Sequence, residues 1–177
     1  MSQENILSIV CEKQNCLKWC WAAVAVSINN YFATIHQTRG RPLVTEGQLA
    51  NRFITSGEPD CCASPPPAAC DQEYDVSSVL TALKAYRGDY THLVPWEILV
   101  QEIDDSLPLV GAVRRRTGQQ HFILIVGYKV VDASDNGKLY IVKDPAYGNV
   151  PMGLNATALR KYEHGTYVAT GYTADRY

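Results

Sequence analysis

The chain has 177 residues, 46% hydrophobic and 19% charged, with a formal net charge of −2 and six cysteines. This is long enough and apolar enough for one folded domain with a sizeable core, or two lobes sharing a cleft, and it argues against a disordered chain. The near-neutral charge gives no long-range pull toward nucleic acid or an anionic membrane, and no apolar run approaches the ~20 residues of a membrane span.

Met1-Ser2-Gln3-Glu4-Asn5-Ile6 lacks the charged and hydrophobic regions of a signal peptide. The expected location is therefore cytosolic, or outside the cell by a route without a cleaved signal, or the chain is a mature form with an added Met.

In chain order, Ile6 to Val10 reads as a short strand leading into a loop around Gln14. From Cys20 to Ile35 the chain is apolar on most sides, which predicts a central buried helix. Arg39-Gly40-Arg41-Pro42 breaks the pattern, and Thr45 to Ile54 predicts a second, shorter helix. Pro59 to Cys70 is a stiff loop containing Cys61, Cys62 and Cys70. Val76, Val79, Leu80, Leu83 and Tyr86 share one helical face, with Gly88 as a stop. Another helix is expected from Pro95, whose missing N–H costs nothing in a first turn, with Trp96, Leu99, Val100 and Ile103 turned inward. Strands follow at Leu109 to Arg114, His121 to Val131, Leu139 to Asp144 and Tyr167 to Tyr172.

The chemistry centres on Cys20, in Gln14-Asn15-Cys16-Leu17-Lys18-Trp19-Cys20-Trp21. At a helix start the free backbone N–H groups and the positive dipole end favour an anion, and it is the thiolate that attacks carbonyls. A lone cysteine there is more often just a small buried hydrophobe. The C-terminal half raises the nucleophilic reading: His121 opens one predicted strand and Asp144 ends the next. Nucleophile, base and orienting acid need only converge in space. Gln14 could add its amide to the backbone N–H of Cys20 as donors for an oxyanion.

Together these elements resemble the papain-like cysteine peptidases, in which a Gln lies six positions before a Cys-Trp pair, a His opens a strand ending in Gly-Tyr, and an Asn or Asp closes the next strand. Here they are Gln14 with Cys20-Trp21, His121 with Gly127-Tyr128, and Asp144 with the trailing Gly148. Cys61-Cys62, Cys70-Asp71 and Asp144-Pro145 bring the chain closer to compact bacterial branches, the AvrRpt2-type effectors and the bacteriocin-processing, C39-like peptidases. The resemblance implies an α+β, papain-like fold, with a helical lobe over about 14–106 packed against an antiparallel sheet or barrel lobe over about 107–177. The whole of 1–177 would form one catalytic domain, with 6–10 a possible added strand.

The resemblance further implies a cysteine peptidase with Cys20, His121 and Asp144 as catalytic residues and Gln14 in the oxyanion hole. A thiol-dependent amidase, deamidase or acyltransferase, or a silent peptide-binding module, are the alternatives. The expected partner is a peptide or protein substrate of a monomer, with neither metal nor organic cofactor, and Trp19 and Trp21 are candidate substrate-binding residues. Lys18 and Trp19 stand where small residues usually precede the nucleophile. No Trp follows Asp144 where papain has one shielding its Asn; Tyr147 is the nearest aromatic.

A disulfide among Cys61, Cys62, Cys70 and Cys16 is plausible in an oxidising compartment, with its pairing open. The run Arg114-Arg115-Arg116 could bind an acidic segment but is more often a solvated strand end. One count stays unresolved. If residues 132–137 form the connecting loop, Asp144 faces Ile125, four residues from His121 or about 13 Å, so a bulge or strong twist must close the gap.

Overall fold

A computed structural model of the protein describes residues 3–36 and 40–177. The Arg39 part of the predicted helix break, and Met1 and Ser2 of the leader reading, lie outside these residues.

The chain runs through β1 (Glu4–Ile6), α1 (Cys20–Ile35), α2 (Glu46–Ala50), α3 (Val76–Ala82), β2 (Tyr86–Tyr90), α4 (Trp96–Asp104), β3 (Leu109–Arg114), β4 (Gln120–Val130), β5 (Lys138–Lys143), β6 (Pro151–Leu154), α5 (Ala156–Arg160) and β7 (Thr166–Thr173). Among the described residues the strands form one antiparallel sheet in the order β2-β7-β3-β4-β5-β6, with β1 also paired to β4. This is the expected α+β architecture, but the sheet stays open: β2 and β6 are free edges, so the barrel alternative does not hold.

α1 is buried on nearly all sides, from Cys20 through Asn29 and again at Tyr31, Phe32 and Ala33. An apolar helix with no solvated face must be central, and α1 packs against β4, α2 and α3. β4 matches it, with Phe122 through Tyr128 all buried. A Cβ on Gly127 would lie 2.5 Å from Asn5 O, so a bare backbone is what lets β1 approach β4.

Several expected boundaries shift for local reasons. The first strand is Glu4–Ile6, not Ile6–Val10, because just past Gly127 β3 takes over as the partner of β4, from Ile125 onward. α2 is capped by a reciprocal Thr45–Gln48 box, then widens into a π-helical turn over Asn51–Thr55. α3 stops at Ala82, and Lys84 takes a left-handed φ of 55°. Tyr86 to Tyr90 consequently leaves the helical face and becomes an edge strand with a bulge between Tyr86 and Gly88. The division into a helical first half and a sheet second half is thus softened, since β1 and β2 come from the first half. No helix among the described residues is long and apolar enough to cross a membrane.

Candidate active site

Cys20 is the first residue of α1, and the N-cap position, Trp19, makes no side-chain cap bond; no acidic residue lies in the first turn. The positive end of the helix is therefore left for whatever sits at Cys20. The residue is 5% exposed.

The turn ahead of Cys20 is held by the segment at 70–72. Lys18 N–H donates to Asp71 Oδ1 (2.8 Å), Trp19 Nε1 to Cys70 O (2.7 Å) and Trp21 Nε1 to Gln72 O (2.9 Å). Cys70 is itself bonded to Cys61; Cys16 and Cys62, the other candidates, are free thiols, as are Cys11 and Cys20. Trp19 is buried to 1% exposure and bonded inward. Its indole is thus held by packing and by the Cys70 carbonyl.

His121 and Asp144 do meet. His121 Nε2 lies 2.8 and 2.9 Å from the two carboxylate oxygens of Asp144. The bulge expected from counting is there: β4 and β5 pair Gly127 with Ile141 but Ile125 with Val142, so Val126 is the extra residue. Continued past Leu124↔Lys143, that register sets Asp144 opposite Ile123, two residues from His121 on the same face and within diagonal reach.

The Cys20 side chain also acts on the imidazole, raising its pKa. With Nε2 committed to Asp144, Nδ1 is the ring nitrogen left for another partner. Burial alone would lower the His121 pKa, but the bonds to Asp144 and the influence of Cys20 outweigh it and push it up to about 9. For Asp144, burial works in the raising direction, and His121, the Ala146 N–H and Tyr162 hold it below its ordinary value. A buried carboxylate of this kind stays charged because donors surround it.

Gln14 is placed differently from a free oxyanion donor. Its Nε2 donates to Cys16 O (2.8 Å) and Leu17 O (2.7 Å), so both N–H bonds are committed to its own loop, while Oε1 is buried without a partner. Its backbone N–H donates to Pro145 O at 3.0 Å, tying this loop to the turn after Asp144. That turn closes with Tyr147 and Gly148 N–H on Asp144 O, and Gly148 supplies the left-handed φ of 73°.

A pocket of about 250 Å³ opens beside Cys20, walled by Trp21, Tyr74 and Phe122 with Lys18, Glu73 and Gln120 among its polar lining. Another, of about 490 Å³, lies on the Gln14 side and reaches Leu17, Pro66, Pro67 and Ala146. Trp21, unlike Trp19, does border the cleft.

Among the described residues His121, Asp144 and Glu163 bring ligand atoms within 4.8 Å of one another. Their lone pairs are already engaged, Asp144 by His121, Ala146 and Tyr162 and Glu163 by Tyr147 and Arg115, so the donor set fits a proton-holding network better than a metal shell.

The family model described as Peptidase C39 like family matches residues 6–175. The chain belongs to that family. A search of curated protein sequences finds no match to this C39-like chain. Among solved structures it is similar to a putative C39-like peptidase from Bacillus anthracis, with TM-score 0.51 and 15% identity, covering 97% of this chain and 98% of that one. The Pseudomonas avirulence protein AvrPphB is also matched, with TM-score 0.35, 12% identity and 90% of each chain covered. The first likeness supports the fold of the C39-like chain.

Sequence reasoning missed Tyr162, whose hydroxyl donates to Asp144 Oδ2 at 2.9 Å, and the backbone N–H of Ala146, which donates to Asp144 Oδ1 at 2.7 Å. The first lies 18 residues downstream, beyond any local motif. Tyr147, the aromatic nearest Asp144 in sequence, instead donates its hydroxyl to Glu163 at 2.5 Å.

Proposed function

We propose that the protein is a cysteine peptidase acting through Cys20, His121 and Asp144. The observation that carries this reading is the His121 imidazole bonded to the buried Asp144 carboxylate, together with the uncapped helix start at Cys20, whose side chain raises the His121 pKa. A peptide lying in the cleft beside Trp21 and Phe122 would present its carbonyl to the Cys20 sulfur. The sulfur adds to the carbonyl carbon while the proton rests on His121 Nδ1, which then delivers it to the leaving amine. Water enters next, gives a proton back to His121, and releases the acyl group from sulfur. Asp144 keeps the ring in the orientation that serves both transfers.

The developing oxyanion would take the Cys20 backbone N–H and one N–H of Gln14, which must first leave a loop carbonyl. Membership of a peptidase family supports hydrolysis of a peptide bond over the amidase, deamidase and acyltransferase readings. Mass spectrometry of a peptide library incubated with wild type and Cys20→Ala tests it. Backbone cleavage by wild type, reduced at least about a thousandfold in the variant, is expected; deamidated but uncut peptides would overturn it.

A further inference from the structure

We propose that Tyr162 is a positioning residue of this centre, holding the Asp144 carboxylate in the plane that keeps His121 aimed at Cys20. This rests on the peptidase reading for its consequence, though not for its geometry. Asp144 is fully buried and sits just beyond the end of β5. A carboxylate there can turn about its Cβ–Cγ bond unless both oxygens are held. One hold on Oδ1 is the Ala146 N–H, and the corresponding hold on Oδ2 is the Tyr162 hydroxyl. His121 bridges the two oxygens from the front. Remove the hydroxyl and Oδ2 loses its fixed partner in a dry site, where an unsatisfied lone pair is costly.

Tyr162 is itself locked. It begins a short turn whose next residues, Glu163 and His164, have left-handed φ of 46° and 60°. The turn closes by Gly165 N–H on Tyr162 O at 2.8 Å. It packs against the end of β3, where a Cβ on Gly165 would lie 2.7 Å from Val113 Cγ1 and 2.9 Å from Arg114 O. Glu163 takes the Tyr147 hydroxyl and pairs with Arg115 at 3.3 Å, while Tyr147 N–H returns to Asp144 O at 2.9 Å. These bonds, with the peptide link between Tyr162 and Glu163, make a closed circuit from Asp144 through Tyr147, Glu163 and Tyr162 back to Asp144. Burial, followed by the adjoining Asp144 charge, pushes the Tyr162 phenol up, so it remains a donor across the working pH range.

The test is a double-mutant cycle of Tyr162→Phe with Asp144→Asn, read by peptide kcat and KM and by the rate of Cys20 alkylation with iodoacetamide. Tyr162→Phe removes one hydrogen bond and is expected to lower kcat about tenfold with KM within about twofold. In the Asp144→Asn background the same change should cost little more, in both readouts, because the residue acts through Asp144. Equal losses in both backgrounds, or none in either, would overturn the proposal, as a merely structural role predicts additivity. Failure of the peptidase reading would look different: coupling in the alkylation rates without any hydrolysis by wild type.

Discussion

Trp19 donates its indole N–H to the carbonyl oxygen of Cys70 at 2.7 Å, linking the residue just before the candidate nucleophile to one half of the Cys61–Cys70 disulfide. With the bonds from Lys18 to Asp71 and from Trp21 to Gln72, this makes the 70–72 segment a clamp on the start of α1. The disulfide fixes the clamp across a sequence separation of 9.

The first prediction follows from that clamp. The double substitution Cys61→Ser, Cys70→Ser should lower stability by about 2–3 kcal/mol by loop-closure entropy. It should also reduce kcat, since the turn carrying Cys20 loses its fixed support. Urea unfolding and peptide kinetics on the same preparation check both; unchanged kcat beside lowered stability would confine the disulfide to a folding role.

Gln14 gives the second. Its two N–H groups are held by Cys16 O and Leu17 O, so an oxyanion role requires one of those bonds to open during turnover. Gln14→Ala is expected to lower kcat about a hundredfold or more with little change in KM. A fall in thermal midpoint with kcat preserved would show that the side chain only braces its loop.

A third concerns Glu46, which is 4% exposed and accepts the Asn15 N–H at 2.9 Å. Burial, reinforced by the charge of Glu12 and opposed by the Asn15 bond, pushes its carboxyl up to about 7. An acid whose folded value is raised contributes stability that is complete below its ordinary value and is lost as pH rises through about 7. Glu46→Gln keeps an acceptor for Asn15 and removes the charge, so it should stabilise the protein above that pH by at most about 3 kcal/mol and have little effect near pH 4. Denaturation midpoints at the two pH values measure this; equal effects at both would contradict it.

His121 supplies a prediction in the alkaline range. Its folded value near 9 lies above the ordinary 6.5, so the stabilisation of the imidazolium is complete below about 6.5 and lost as pH passes about 9. The alkaline limb of kcat/KM should fall near 9, and Asp144→Asn, which removes the carboxylate charge, should move it down by about one unit or more. An alkaline limb unmoved by Asp144→Asn would separate the two residues.

Much of the site was legible in the sequence because its parts lie at element ends, where motif and periodicity coincide: Cys20 opens α1, His121 is the second residue of β4, and Asp144 follows β5. Even the need for a bulge or a strong twist came from counting residues between His121 and Asp144, although the bulge at Val126 could not be counted. The clamp, Tyr162 and the commitment of Gln14 were not legible. Each depends on contacts between segments distant in the chain or on which way a side-chain amide turns, and neither leaves a period in the sequence. The inward bond of Trp19 to the carbonyl of Cys70 was hidden for the same reason. β2 was hidden by a helical pattern that runs through Tyr86, whereas the backbone reverses at Lys84.

The most direct test of the central claim is residue-resolved alkylation of the native protein by iodoacetamide at neutral pH, followed over time by mass spectrometry in wild type and His121→Ala. The sulfur–imidazole pairing predicts that the 5%-exposed Cys20 reacts before the exposed Cys62 and the partly exposed Cys16, and that His121→Ala abolishes this lead. Faster labelling of Cys62 or Cys16 in wild type, or an undiminished Cys20 rate without His121, would contradict it.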